Sequence, residues 1–239
     1  MTQTVTVTFF RFNSLYSKFW AFKMMGLRHF YLKNVNGLSF YKLMGTGGGE
    51  GFSWKPDFST YCLFCVWDTE ASAHEFMATN KLLRQYKLQA EEKITFWLKP
   101  VMVHGLWSGK QPFAISKSDK DLPIAVLTRA TIHLKHVPAF WRRVAPASSS
   151  ITDAKGKLFT KGVGEWPLFQ QATISIWENM ESMKNYAYQS KAHKEIIKLT
   201  RQEGWYKEEM FARFQLYHTE GTWLGKNPVE AYTASSTAV

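Results

Sequence analysis

The sequence predicts an α+β protein: two diverged copies of one β-α-β-β-α-β unit in tandem, closing together into a barrel. Three observations carry this. Residues 104–112, H-G-L-W-S-G-K-Q-P, and 220–228, E-G-T-W-L-G-K-N-P, agree at five of nine positions, with Trp107/Trp223 and Pro112/Pro228 among them. Further echoes keep the same order: Phe19-Trp20 with Phe140-Trp141, each downstream of an arginine in a strand-like run (Arg11, Arg129), G-G-E-G (48–51) with V-G-E-W (163–166), and V-W-D (66–68) with I-W-E (176–178). Between the two series lies the polar stretch S-K-S-D-K-D (116–121). Similarity in a constant order marks a repeated structural unit. It divides the chain into an N-terminal copy (1–113), a linker (114–121), a C-terminal copy (122–229) and a small, polar, flexible tail (230–239).

In the first copy, V-T-V-T-F-F-R-F alternates as a strand does, and Leu15 to Leu32 carries apolar residues at helical spacing. L-S-F-Y-K-L-M and S-T-Y-C-L-F-C-V-W read as strands. Asp68 is the expected N-cap of the helix T-E-A-S-A-H-E-F-M-A, and K-I-T-F-W-L closes the unit. The second copy reads I-A-V-L-T-R-A-T, a helix through Phe140-Trp141, K-L-F-T-K-G, Q-A-T-I-S-I-W, a helical region over 179–203 and E-M-F-A-R-F-Q-L. This order is that of the ferredoxin-like unit. Each unit leaves one sheet face bare, and two bury those faces together as a dimeric-type α+β barrel with a roomy middle.

Composition narrows the class. The net charge of +11 favours an acidic partner or an anionic surface, and 16% aromatic residues with ten tryptophans suit a large core or a pocket for a flat apolar ligand. Cys62 and Cys65 form C-x-x-C inside a strand, where the two thiols point to opposite faces and cannot share an ion, so they read as reduced core cysteines of a cytoplasmic protein. The N-terminus lacks a signal-peptide layout, and no apolar run reaches the ~20 residues that cross a bilayer. The aromatics alternate with aliphatics as core residues do, so nucleic-acid binding is not expected.

T-G-G-G-E-G (46–51) has no G-K-[ST] ending and reads as a strand connection or a pocket rim. No Ser-His-Asp, Cys-His or paired-carboxylate arrangement stands out. Glu50 and Glu165 occupy equivalent places, which suggests a shared structural task. Among seven histidines, His133 and His136 lie three apart with no nearby carboxylate to complete a metal site. His193 differs. Aligning N-K-L-L-R-Q-Y-K (80–87) with S-K-A-H-K-E-I-I (190–197) sets it opposite Leu83, on the apolar face His193, Ile196, Ile197, Thr200. A buried imidazole requires a hydrogen-bond partner or a metal, and a haem iron with one axial histidine is one such metal.

L-T-R-A-T (127–131), L-F-T-K-G-V-G-E-W-P (158–167), S-K-A-H-K-E-I-I-K (190–198) and E-E-M-F-A-R-F (208–214), together with G-x-W-x-G-K-x-P in each copy, resemble the spheroidene monooxygenase family of carotenoid biosynthesis over nearly the whole chain. The resemblance implies a haem b enzyme that introduces a keto group into an acyclic carotenoid, with O2 as co-substrate and reduced ferredoxin as electron donor. Two hydroxylations at one allylic carbon would give a gem-diol that loses water to the ketone. The sequence is also similar in plan to haem proteins built from paired ferredoxin-like units, such as aldoxime dehydratase, chlorite dismutase and dye-decolourising peroxidases. Their proximal histidine lies on a helix of the C-terminal unit, which implies His193 as the iron ligand and catalytic centre. Arg129, Lys161 and Arg213 are candidates for the haem propionates. Trp141, Trp166 and Phe169 are candidates for the substrate pocket wall or ordinary core aromatics. The basic charge suits an acidic ferredoxin or peripheral contact with a membrane. Two alternatives stand beside this reading: a haem-dependent lyase or peroxidase of the same architecture, and a non-enzymatic barrel that binds an apolar ligand.

Overall fold

Eight antiparallel strands close a barrel in the computed structural model, which describes residues 2–49, 53–117, 122–148, 151–166, 168–189, 199–200 and 202–233. The first copy contributes β1 (Thr4–Arg11), α1 (Leu15–Leu32), β2 (Leu38–Gly47), β3 (Pro56–Trp67), α2 (Glu70–Thr79), α3 (Lys81–Gln89) and β4 (Glu92–Gly105). The second contributes β5 (Ile124–Ile132), α4 (Val137–Ser148), β6 (Lys157–Trp166), β7 (Gln170–Trp177), α5 (Met180–Gln189) and β8 (Tyr206–Gly221). Strand order is β4-β1-β3-β2 in one copy and β8-β5-β7-β6 in the other, so the duplicated ferredoxin-like arrangement is the observed fold. The α2 cap is Thr69, whose hydroxyl accepts from the Ser72 amide, rather than its neighbour Asp68.

Alternation sorts each strand between two environments. Val5, Val7 and Phe9, Cys62, Phe64 and Val66, and Ile94, Phe96 and Leu98 face inward from the first copy. Leu127, Ile174, Ile176, Met210, Ala212 and Phe214 meet them from the second. An eight-stranded barrel is just wide enough for side chains to fill it. The middle is therefore packed, not roomy as the sequence suggested. Cys62 belongs to this inner core and Cys65 to the outer one, both as free thiols.

The copies join along two unequal seams. β4 and β8 pair over eleven positions, whereas β2 and β6 pair only at Gly45–Gly164 and Thr46–Val163. The long seam explains the repeated motif. Gly105 lies opposite Met210 and Gly221 opposite Ile94, with φ of 87° and 89°. A Cβ at either glycine would stand 2.1 or 2.2 Å from the carbonyl oxygen of Glu209 or Lys93. Each strand then turns back through W-x-G-K, with Trp107 bridged to Lys110 and Trp223 to Lys226. The central residues of these tight turns, Ser108-Gly109 and Leu224-Gly225, all have positive φ.

The outer faces differ. In the first copy α1, α2 and α3 cover one continuous core that includes Phe10, Leu43, Tyr61, Leu63, Leu83 and Trp97. In the second copy the outer face carries two smaller clusters, Ile124/Val126/Ile151/Trp177/Met183 and Ile132/Phe140/Trp205. Where the sequence suggested a tail from 230, Glu230–Thr233 forms a helical turn, and the Tyr232 hydroxyl donates to Glu178.

Candidate functional site

Cross-strand register aligns the copies residue by residue, because Thr4 pairs with Trp67 as Ile124 pairs with Trp177. On the outward faces this sets Phe10 against Ala130, Tyr61 against Gln171, Leu63 against Thr173, Tyr41 against Thr160, Leu43 against Gly162 and Trp97 against Arg213. Each of these large side chains of the first copy has a smaller or polar counterpart in the second, whereas Trp67 keeps its size in Trp177. Thr8 shows the effect at an unchanged residue: it is 1% exposed beneath its helices, while its equivalent Thr128 is exposed. The second copy thus carries a trough of small side chains across β5, β7 and β6, made of exposed Thr128, half-buried Thr173 and the buried Ala130 and Gly162.

Each end of the trough has its own chemistry. At one end Trp166 stacks on Phe169 (ring centroids 6.3 Å apart), and the Trp141 indole N–H donates to the Leu168 carbonyl at 2.9 Å. The three aromatics expected as pocket walls are therefore gathered together. At the other end stands Arg213, outward-facing beside Val126. Its Nη1 contacts Met180 Sδ at 3.1 Å, its Nε is buried without a partner, and no carboxylate pairs with it among the described residues. The buried Thr160 hydroxyl on the same face also lacks a partner. A floor of small residues with one uncompensated guanidinium fits a flat apolar disc with an anionic edge. A cleft of ≈ 520 Å³ opens at the Phe169 end, its largely apolar lining formed by Phe169, Ile132 and Leu134 with Thr131, His133 and Lys207 at its edges.

The three basic residues predicted to act together do not converge. Arg129 neighbours Ala172 and Met210, both in the barrel core, and so faces inward. It ion-pairs with Glu208 and lies 3.8 Å from Glu165. Lys161 also faces the interior, holding Asp57 at 3.3 Å and the Gly49 carbonyl at 3.1 Å. Only Arg213 reaches the outer face. Register also separates Arg129 from Arg11, its supposed counterpart: the residue equivalent to Arg129 is Phe9.

Arg129 instead belongs to a polar lock at the barrel mouth that the sequence did not disclose. Glu208 accepts from the amides of Ser108 (2.9 Å) and Gly109 (2.6 Å), holding the strained turn. Glu165 accepts from the Trp107 indole N–H at 2.6 Å and pairs with Lys42, which also donates to the Ser108 hydroxyl at 2.8 Å. Glu165 thus has a structural task at the barrel mouth; Glu50, expected to share it, lies outside the described residues. The other copy repeats the turn latch, with Glu92 accepting from Leu224, Gly225 and Thr222. A signal existed, since the offset that aligns Trp107 with Trp223 also aligns Glu92 with Glu208. Burial would raise the Glu208 carboxyl, but the Gly109 and Ser108 amides and Arg129 outweigh it and hold the pKa below the usual value. Glu92 is lowered in the same way by Gly225, Leu224, Thr222 and Arg11.

His193 lies outside the described residues. Its aligned partner Leu83 is 1% exposed and packs in the first copy's outer core, with its amide capped by Asn80.

No family model matches the sequence. Two curated relatives match nearly all of it. A protein of Rhodobacter capsulatus described as spheroidene monooxygenase is 36% identical over 227 residues, covering 94% of both chains. One of Cereibacter sphaeroides with the same description is 39% identical over 235 residues, covering 97% of this chain and 72% of the relative. Among solved structures, aldoxime dehydratase in complex with butyraldoxime superposes with a TM-score of 0.60 at 9% identity, over 92% of this chain and 82% of that one, a likeness of fold alone.

Proposed function

The chain belongs to the spheroidene monooxygenase family, and from that membership we propose that it is an oxidoreductase that introduces a keto group into an acyclic carotenoid with O2, haem b and electrons from reduced ferredoxin. The relatives' description supplies the carotenoid. The observation that supports the cofactor is the small-residue outer face of the second copy, with unpartnered Arg213 Nε and Thr160 hydroxyl, set against its large-residue twin.

The residues of this face fit haem. His193, in the segment that aligns with buried Leu83, would hold the iron, and Arg213 would pair with a propionate through a guanidinium that has no carboxylate partner among the described residues. Bound there, haem supplies the one-electron redox chemistry that O2 requires. The protein's own part is to bind, orient and keep dry. Gly162, Ala130 and Thr173 give a flat floor, and the Thr160 hydroxyl has a free hydrogen-bonding capacity toward a polar edge. Trp166 and Phe169 offer stacked faces to a conjugated chain, with Trp141 fixed beside them by its bond to Leu168. Arg129 and Lys161 act through the barrel mouth, where they are committed to Glu208 and Asp57.

The test is the absorption spectrum of protein expressed with a haem precursor, followed by feeding of acyclic carotenoids. The expected result is a Soret band that His193→Ala removes and Leu83→Ala retains, and a keto product from the wild type. Arg213→Ala lowers haem affinity about 10–100-fold, the loss of one charged hydrogen-bonded pair. An unchanged spectrum in His193→Ala removes the ligand assignment, and the absence of any keto product removes the substrate.

A further inference from the structure

The amphipathicity of α1 is inverted. Only Ser17, Ala21, Met24 and Leu32 of its eighteen residues are buried against the sheet. Leu15, Phe19, Phe22 and Phe30 run along the opposite face at helical spacing, 86%, 71%, 53% and 86% exposed. Phe58 of β3, 54% exposed, extends this stripe by meeting Phe22 at 6.0 Å. A contiguous row of exposed phenyl rings on a helix otherwise seated on its sheet marks an interaction surface.

Charge identifies the occupant. Residues 2–49 contain no Asp or Glu, and Lys18, Lys23 and Lys33 lie on or directly beside α1. A second copy docking here would bring two acid-free basic helices together. An acidic soluble protein would match the lysines but offer the phenyl rings no apolar phase. An anionic lipid leaflet satisfies both, taking the rings below the headgroups and the cations at the phosphates. No helix among the described residues is long and apolar enough to cross a membrane, so the contact is a surface one.

We propose that α1 lies flat on an anionic lipid surface, inserting Leu15, Phe19, Phe22, Phe30 and Phe58, with Lys18, Lys23 and Lys33 on the headgroup phosphates. The proposal deepens the carotenoid reading by saying where an apolar substrate is met. Its test uses vesicles without carotenoid, so it can fail while the chemistry stands.

The full chain is sedimented with vesicles of phosphatidylcholine alone and of phosphatidylcholine mixed with phosphatidylglycerol. The wild type partitions onto the anionic vesicles, less onto the neutral ones, and is released by added salt. Phe19→Ser with Phe30→Ser, and separately Lys18→Glu with Lys23→Glu, each weaken partitioning about tenfold or more. Their thermal unfolding matches the wild type, because these side chains are exposed or half-exposed. Wild type left in the supernatant with anionic vesicles overturns the proposal, as does a serine variant that binds like wild type. So does a wild-type dimer in light scattering that the serine variant converts to monomer, which assigns the face to a second copy.

Discussion

Glu208→Ala should destabilise the fold more than the equivalent Glu92→Ala, by an amount that follows from their arginines. Both substitutions remove a carboxylate that holds two backbone amides of a strained turn, a loss of about 2 kcal/mol. In Glu92→Ala the one-third-exposed Arg11 keeps its pair with Glu91, and losing the Glu92 pair adds at most about 1 kcal/mol. In Glu208→Ala the orphaned Arg129 has a side chain only 2% exposed. Leaving a buried charge without its partner costs about 3–5 kcal/mol, and Glu165 at 3.8 Å keeps the value near the low end. The gap between the variants is thus about 2 kcal/mol. For a chain of this size it separates the melting temperatures by about 4–8 °C. Urea unfolding at neutral pH, followed by far-ultraviolet circular dichroism and tryptophan fluorescence, measures it. Equal losses, or a larger loss in Glu92→Ala, would refute the view that Arg129 depends on Glu208.

Three further outcomes follow from the same geometry. Gly162→Leu with Thr173→Leu rebuilds the trough as its filled twin; the protein should stay folded, with each leucine adding up to about 1.5–3 kcal/mol of burial, while the Soret band is lost. Asp57, Glu92 and Glu208 are held below their usual pKa values, so the unfolded chain takes up protons before the folded one as pH falls. Their stabilisation is complete above about pH 4.5 and declines below it, and Glu208→Gln should flatten that acid limb of a urea-midpoint titration. Gly105→Ala and Gly221→Ala each drive a Cβ into the facing strand's carbonyl at a positive φ. Each should cost about 3 kcal/mol or more, and nearly the same amount, because the two sites are related by the internal symmetry.

The fold was legible because its punctuation is chemical. The first glycine of each G-x-W-x-G-K is required by a carbonyl that an added Cβ would meet at 2.1 or 2.2 Å, the second has a positive φ, and the tryptophans cap the barrel core, so all survived divergence as visible repeats. Strand alternation was equally plain. What alternation cannot supply is register. Arg11 and Arg129 both face inward at odd positions, yet they stand one pleat apart, and only the hydrogen-bonded ladder shows that Arg129 replaces Phe9. The grouping of Arg129 and Lys161 with Arg213 broke for a related reason: residues close in a list of cations lie on opposite sides of one sheet. Trp141, Trp166 and Phe169 did assemble, since all three belong to elements that meet at one end of the second copy. The trough itself was hidden in both sequences until register put Leu43 beside Gly162 and Leu63 beside Thr173. Of the pair formed by His193 and Leu83, only Leu83 falls within the described residues, buried as its place on an apolar face required.

Covalent tandem arrangement frees the two halves from having to be alike. A barrel assembled from two identical subunits would have to excavate both outer faces or neither, and excavating both would strip each subunit of its packing. In a single chain the first half can remain a fully packed buttress while the second gives up Phe, Leu and Tyr for Ala, Gly and Thr. Broken symmetry is thus the means by which this barrel combines one flank of large packed side chains with one of small and polar ones.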